Sequence, residues 1–132
     1  MISVDTSVVV RYLVGTPAAQ ARRAARLIDD ETVSIGVSVV GLAECAHVLR
    51  TQYDVEARDI VDALIGFIQR ENIRILEVRS DLVLETLVRA RSMPGRPIPD
   101  ALIVAASIAA DALPLATFDT EQRRYGIAVR EP

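Results

Sequence analysis

Lysine and tryptophan are absent from this 132-residue chain, and cysteine and histidine occur once each. Without lysine the chain cannot be a P-loop NTPase, which sets an ammonium on the nucleotide phosphates, nor an enzyme working through a lysine Schiff base. A single cysteine, Cys45, excludes an intramolecular disulfide and a multi-cysteine zinc site. Two Phe and three Tyr leave little material for aromatic platforms that stack on bases. Long apolar runs are missing too. The longest uncharged stretches, Thr32–Ala43 and Ala101–Ala110, fall short of the ~20 residues that span a bilayer. Asp5 and Arg11 interrupt any signal-peptide apolar region near the amino terminus, so a cytoplasmic protein with no membrane contact is expected. All 15 basic groups are arginines and face 18 acids, a net charge of −3, which argues against a basic nucleic-acid coat or a polybasic membrane anchor.

What is present is aliphatic. Hydrophobic residues make up 51% of the chain, enough for a core at this length, and the length itself predicts one domain over residues 1–132. Short β-branched runs alternate with longer helical patterns. Ile2–Val4 reads as a strand, with a helix after Asp5-Thr6-Ser7 running to Val14. Gly15-Thr16-Pro17 breaks it, and Pro17 opens a helix over Ala18–Asp30. Thr32–Gly36 is a second strand. Ser38 caps a helix to about Gln52, and Asp54 caps another in which Ile60, Leu64, Phe67 and Ile68 recur at helical spacing. Ile73–Leu76 is a third strand, followed by a helix from Ser80 or Asp81 that ends before Met93-Pro94-Gly95. Arg96-Pro97-Ile98-Pro99 reads as a stiff loop, because each proline pushes its predecessor out of the helical region. Asp100 then opens an alanine-rich helix to about Ala112. Leu115–Thr117 is a fourth strand and Ile127–Val129 an edge fifth. Strands separated by helices imply an α/β fold with a mainly parallel sheet of four to five strands covered on both faces.

Parallel sheets place their working groups just beyond the carboxyl ends of the strands. Asp5 and Asp119 each follow a strand, and Asp100 stands at the start of the helix leading into the fourth. Each is also well placed to cap a helix. Glu44 is harder to accommodate, lying in the apolar stretch Val39–Ala46 where an unpaired carboxylate is costly to bury. If the four converge, their mutual repulsion calls for a cation, and oxygen-only ligands suit Mg²⁺ or Mn²⁺. The residues themselves thus point to metal-dependent phosphoryl transfer or hydrolysis.

Val4-Asp5-Thr6-Ser7, Glu44, Asp100 ahead of an alanine-rich helix, and Ala116-Thr117-Phe118-Asp119 together resemble a PIN domain, over essentially the whole chain. A chain of this length is most similar to the VapC-type toxins of type II toxin–antitoxin systems. That resemblance implies a three-layer α/β/α sandwich and a Mg²⁺- or Mn²⁺-dependent endoribonuclease. It also implies a homodimer and a VapB-like antitoxin whose tail covers the active site, with DNA reached only through the antitoxin. By the same resemblance Asp5, Asp100 and Asp119 hold metal and Glu44 orients a water. Thr6 fixes the Asp5 loop and Thr117 the Asp119 turn.

Arg11, on the first helix after Asp5, and Arg96, in the loop before Asp100, lie nearest the expected site and are the candidates to touch RNA phosphate. His47, three residues after Glu44, matches half of a di-metal Glu-x-x-His pattern that needs two copies, so a role as ligand is not expected. Cys45 reads as a core residue. The helices between Ser38 and Arg70 carry more apolar surface than one sheet face requires, which suits either core or a partner contact. A response-regulator receiver is excluded by the missing lysine. A haloacid-dehalogenase-like phosphatase needs a second Asp where Ser7 stands. The remaining alternative is a non-catalytic PIN-like partner of an antitoxin in a DNA-bound regulatory complex.

Overall fold

The computed structural model describes residues 1–94 and 97–132. Five parallel strands form one sheet in the order β3-β2-β1-β4-β5. In chain order they are β1 (Ile2–Val4), β2 (Ile35–Ser38), β3 (Ile73–Leu76), β4 (Leu115–Ala116) and β5 (Val129–Arg130). The helices are α1 (Thr6–Val14), α2 (Ala18–Ile28), α3 (Val39–Gln52), α4 (Ala57–Ile68), α5 (Ser80–Ala90) and α6 (Pro97–Ala109), with a 3₁₀ helix over Thr120–Tyr125.

Side chains alternate across a strand, so neighbouring residues reveal the two faces of the sheet. On β4, Ala116 joins a cluster with Val4, Val8, Val9, Ile28, Ile35 and Phe67, whereas Leu115 joins Ile103, Val104 and Ala90. Helices α1–α4 therefore fill one face while α5 and α6 cover the other, the expected α/β/α sandwich. Gly36 makes room for Leu76 in this packing: a Cβ there would stand 2.6 Å from the Leu76 side chain, which would have to shift. Among the described residues no helix is long and apolar enough to cross a membrane.

The site is positioned by two strands that pass into helices with almost no loop. Asp5 alone separates β1 from α1 and accepts from the Ser7 and Val8 amides, an N-cap. Ser38 ends β2 and caps α3 through the Gly41 amide at 2.9 Å. The strand expected over Thr32–Gly36 begins later, at Ile35, because Asp30 turns the chain first by accepting from the Thr32 amide and hydroxyl. Asp54 does not cap α4: it takes a left-handed conformation, φ 52°, and the helix begins at Ala57. Pro97–Pro99 form the first turn of α6 rather than a stiff loop, so Asp100 lies within that turn instead of opening the helix. Proline needs no amide partner at a helix start, and this outweighs its pressure on the preceding residue. The same helix stops at Ala109, and β5 lies two residues later than expected.

Candidate active site

Asp5 is 3% exposed, and both of its carboxylate oxygens are engaged. Oδ1 accepts from the Ser7 amide at 2.9 Å, the Ser7 hydroxyl at 2.6 Å and the Val8 amide at 3.4 Å. Oδ2 accepts from the Thr117 hydroxyl and from Gln122 Nε2 at 2.9 Å. Burial pushes the Asp5 carboxyl above its usual range, and the bonds from Ser7, Thr117, Gln122 and Val8 act against that rise. Thr117, just past β4, also accepts from the Asp119 amide at 2.9 Å, so one hydroxyl links the first acid to the turn that carries the last. Asp119 caps the 3₁₀ helix through the Glu121 amide at 3.0 Å.

Glu44 projects from α3 and accepts from the Thr6 hydroxyl at 2.5 Å. Thr6 therefore fixes Glu44, not the Asp5 loop, and it ties α1 to α3 across the site. Asp100 Oδ1 accepts from Gln122 Nε2 at 3.1 Å. Burial, reinforced by the charges of Asp5, Asp119 and Glu44, pushes the Asp100 carboxyl up to about 6, against the lowering effect of the Gln122 bond. All four acids line one cleft of about 460 Å³ beyond the carboxyl ends of the strands.

Arg11 lies on the wall of the same cleft, its Nε donating to Gln20 Oε1 at 2.8 Å. Arg96 lies outside the described residues. His47 is solvent-exposed, and the α3 residues on the cleft wall are Glu44, Val48 and Gln52. Cys45 is buried in the core, its thiol pushed up to about 12 by burial and by Glu44, which makes it unreactive.

The donor set fits a hard divalent cation. Its charged ligands are carboxylates alone, and among the described residues no arginine forms an ion pair with any of the four. The acids are not yet arranged as a cage. Among the described residues no three acidic, histidine or cysteine side chains stand together as a ready metal site, and the Gln122 amide lies between Asp5 and Asp100.

A family model described as the PIN domain matches residues 2–128. The chain belongs to the PIN domain family. Its fold is similar to that of Mycobacterium tuberculosis VapC20, a toxin that cleaves the sarcin–ricin loop, with a TM-score of 0.77 and 22% identity over 100% of both chains. It is also similar to VapBC2 from Rickettsia felis, solved bound to a DNA fragment from its promoter, with a TM-score of 0.68 and 18% identity over 99% of this chain and 98% of that one. No curated protein sequence matches it.

In this PIN domain, sequence reasoning missed three contributors. Ser7 joins the halves of the site, donating to Asp5 and accepting from the Phe118 amide at 3.0 Å. Glu121 adds a fifth acid to the cleft wall. Gln122, 2% exposed, bridges two of the expected acids. The sequence itself carries no signal for Gln122: only once Thr120–Tyr125 winds as a 3₁₀ helix do Asp119, Gln122 and Tyr125 fall on its three-residue spacing.

Proposed function

We propose that this PIN domain is a Mg²⁺- or Mn²⁺-dependent endoribonuclease of the VapC type, a toxin restrained by a VapB-like antitoxin. The observation that carries the proposal is the meeting of Asp5, Glu44, Asp100 and Asp119 on one cleft, with no ion-paired arginine on any of them among the described residues. Asp5, Asp100 and Asp119 would hold the ion, and Glu44 would orient a water. A divalent cation supplies positive charge against a phosphodiester and makes a water more acidic.

The chain's own groups set the geometry. Thr6 aims Glu44, and Ser7 and Thr117 fix the Asp5 carboxylate. Arg11, restrained by Gln20, presents its remaining donors to a phosphate. The net charge of −3 is compatible with such a grip, because without the four acids 15 basic groups would face 14 acidic ones. RNA as substrate and a VapB-like antitoxin accord with the two similar structures, one a toxin that cleaves the sarcin–ricin loop and the other VapBC2 bound to promoter DNA. A cytoplasmic homodimer whose antitoxin makes the DNA contacts belongs to the same proposal. On α4, Ile60 and Phe67 are buried while Val61, Ile65 and Ile68 stay exposed, apolar surface that suits a protein partner.

RNA cleavage by purified protein with Mg²⁺ or Mn²⁺ tests this reading against Asp5→Asn and Asp100→Asn. Each substitution should lower cleavage at least about a hundredfold, with chelation abolishing it. Equal cleavage by all three proteins would overturn the assignment. Cleavage by none, together with antitoxin-dependent DNA binding, would favour the non-catalytic regulator.

A further inference from the structure

We propose that the Gln122 side-chain amide stands in for a cation between Asp5 and Asp100 in the metal-free protein, and that a divalent ion binds there by displacing it. The inference rests on the metal-dependent reading above and extends it to a residue outside the acidic set.

Gln122 Nε2 donates one hydrogen to Asp5 Oδ2 at 2.9 Å and the other to Asp100 Oδ1 at 3.1 Å. Both acids thereby turn toward the amide lone pairs that a hard cation would need. Among the described residues Gln122 Oε1 is buried without a hydrogen-bond partner. A buried carbonyl left without a donor costs free energy, so it is the two carboxylates that hold the amide in this orientation. Turned over, Oε1 would face two carboxylate oxygens, an arrangement that only a cation, or a proton on one of the acids, can bridge.

The surrounding backbone allows the amide to move alone. Tyr125 closes the 3₁₀ helix, its carbonyl accepting from Arg89 Nη1 at 3.0 Å and its hydroxyl donating to the Pro97 carbonyl at 3.3 Å. Asp119 caps the other end. With both ends tied, side-chain torsions suffice to withdraw or invert the amide. Gln122 is then a positioning residue: it keeps the two acids apart and oriented until the ion arrives.

The test is calorimetric titration of Mn²⁺ and Mg²⁺ into wild type and Gln122→Met, with thermal melts of each with and without ion. Methionine keeps the length of the side chain and removes the donor. Without ion the variant should melt at a lower temperature. It should bind Mn²⁺ about tenfold more tightly, the ratio expected when a competing hydrogen bond to a charged group is removed, and gain more in melting temperature on binding. Binding by wild type with equal or weaker binding by the variant would overturn this proposal and leave the metal reading intact. If neither folded protein binds an ion, both fall. A second readout needs no variant. In ¹⁵N spectra of wild type, the Gln122 side-chain amide signals should shift as Mg²⁺ is added and saturate with the calorimetric curve. Signals that stay in place through saturation would overturn the proposal even if the variant fails to fold.

Discussion

Two buried amides sit at opposite ends of the sheet, and they are alike in all but their partners. Asn72, 6% exposed, stands just before β3; Gln122, 2% exposed, lies beyond the end of β4. Among the described residues each leaves its carbonyl oxygen without a partner. Asn72 Nδ2 donates to the carbonyls of Ile28 at 2.9 Å, Val33 at 3.2 Å and Asp30 at 3.3 Å, binding the end of α2 to the turn that enters β2. Gln122 donates to two carboxylates. An orphaned buried oxygen is therefore no mark of function by itself. Neutral carbonyls give an amide a permanent structural role, whereas carboxylates carry charge that a cation can claim. The asymmetry follows from the parallel sheet, whose carboxyl ends gather the groups that act on a ligand.

Making each amide an acid should separate the two most sharply. Asn72→Asp would set a carboxylate against three carbonyls, and a cost of about 3–5 kcal/mol is expected, the range for an uncompensated buried charge. Denaturant melts should show that loss unchanged by Mg²⁺. Gln122→Glu should also destabilise the metal-free protein, by repulsion from Asp5 and Asp100, but Mg²⁺ should restore most of the loss. Rescue of both variants, or of neither, would break the comparison.

A smaller effect is expected in the pH dependence of metal-free stability. Asp5 and Asp100 are both shifted up, Asp100 to about 6, so the native state keeps protons that the unfolded chain has released. Their contribution is fully present below the ordinary carboxyl value and is lost as pH rises through about 6. Asp100→Asn should flatten that decline between pH 4 and 6 in denaturant melts, and Asn72→Leu should lower the whole curve without changing its slope. A slope unaltered by Asp100→Asn would place the coupling elsewhere.

What could be read in advance follows the same divide. The acids were legible because strand patterns and the rule of carboxyl ends place Asp5 and Asp119 without any tertiary information, and Glu44 breaks an apolar run. Gln122 was not, because Asp119-Thr120-Glu121-Gln122-Arg123-Arg124 has the composition of a solvated turn and only the 3₁₀ winding buries one member of it. Thr6 was assigned to its sequence neighbour Asp5. Its bond to Glu44 spans 38 residues and depends on how α1 packs against α3. The start of α6 misled for a local reason: the proline rule discourages helix before Pro99, while the first turn of a helix is where prolines cost least.

Thr6→Val offers the finest test of the contrast between structural and functional polar contacts. Valine matches threonine in shape, so the α1–α3 packing is kept while the 2.5 Å bond to Glu44 is lost. Glu44 lines the open cleft and can exchange that donor for water, so stability should fall by less than about 1 kcal/mol. If Thr6 serves only to tie the helices, nothing further should change. If its function is to aim Glu44, cleavage should drop about three- to tenfold with substrate affinity preserved, since a freely rotating carboxylate is in its working position for only part of the time. Thr6→Ser, which keeps the hydroxyl, should restore cleavage. Rates of RNA cleavage at saturating substrate, measured beside denaturant melts, distinguish the two: a stability loss with unchanged rate would move Thr6 into the same structural class as Asn72.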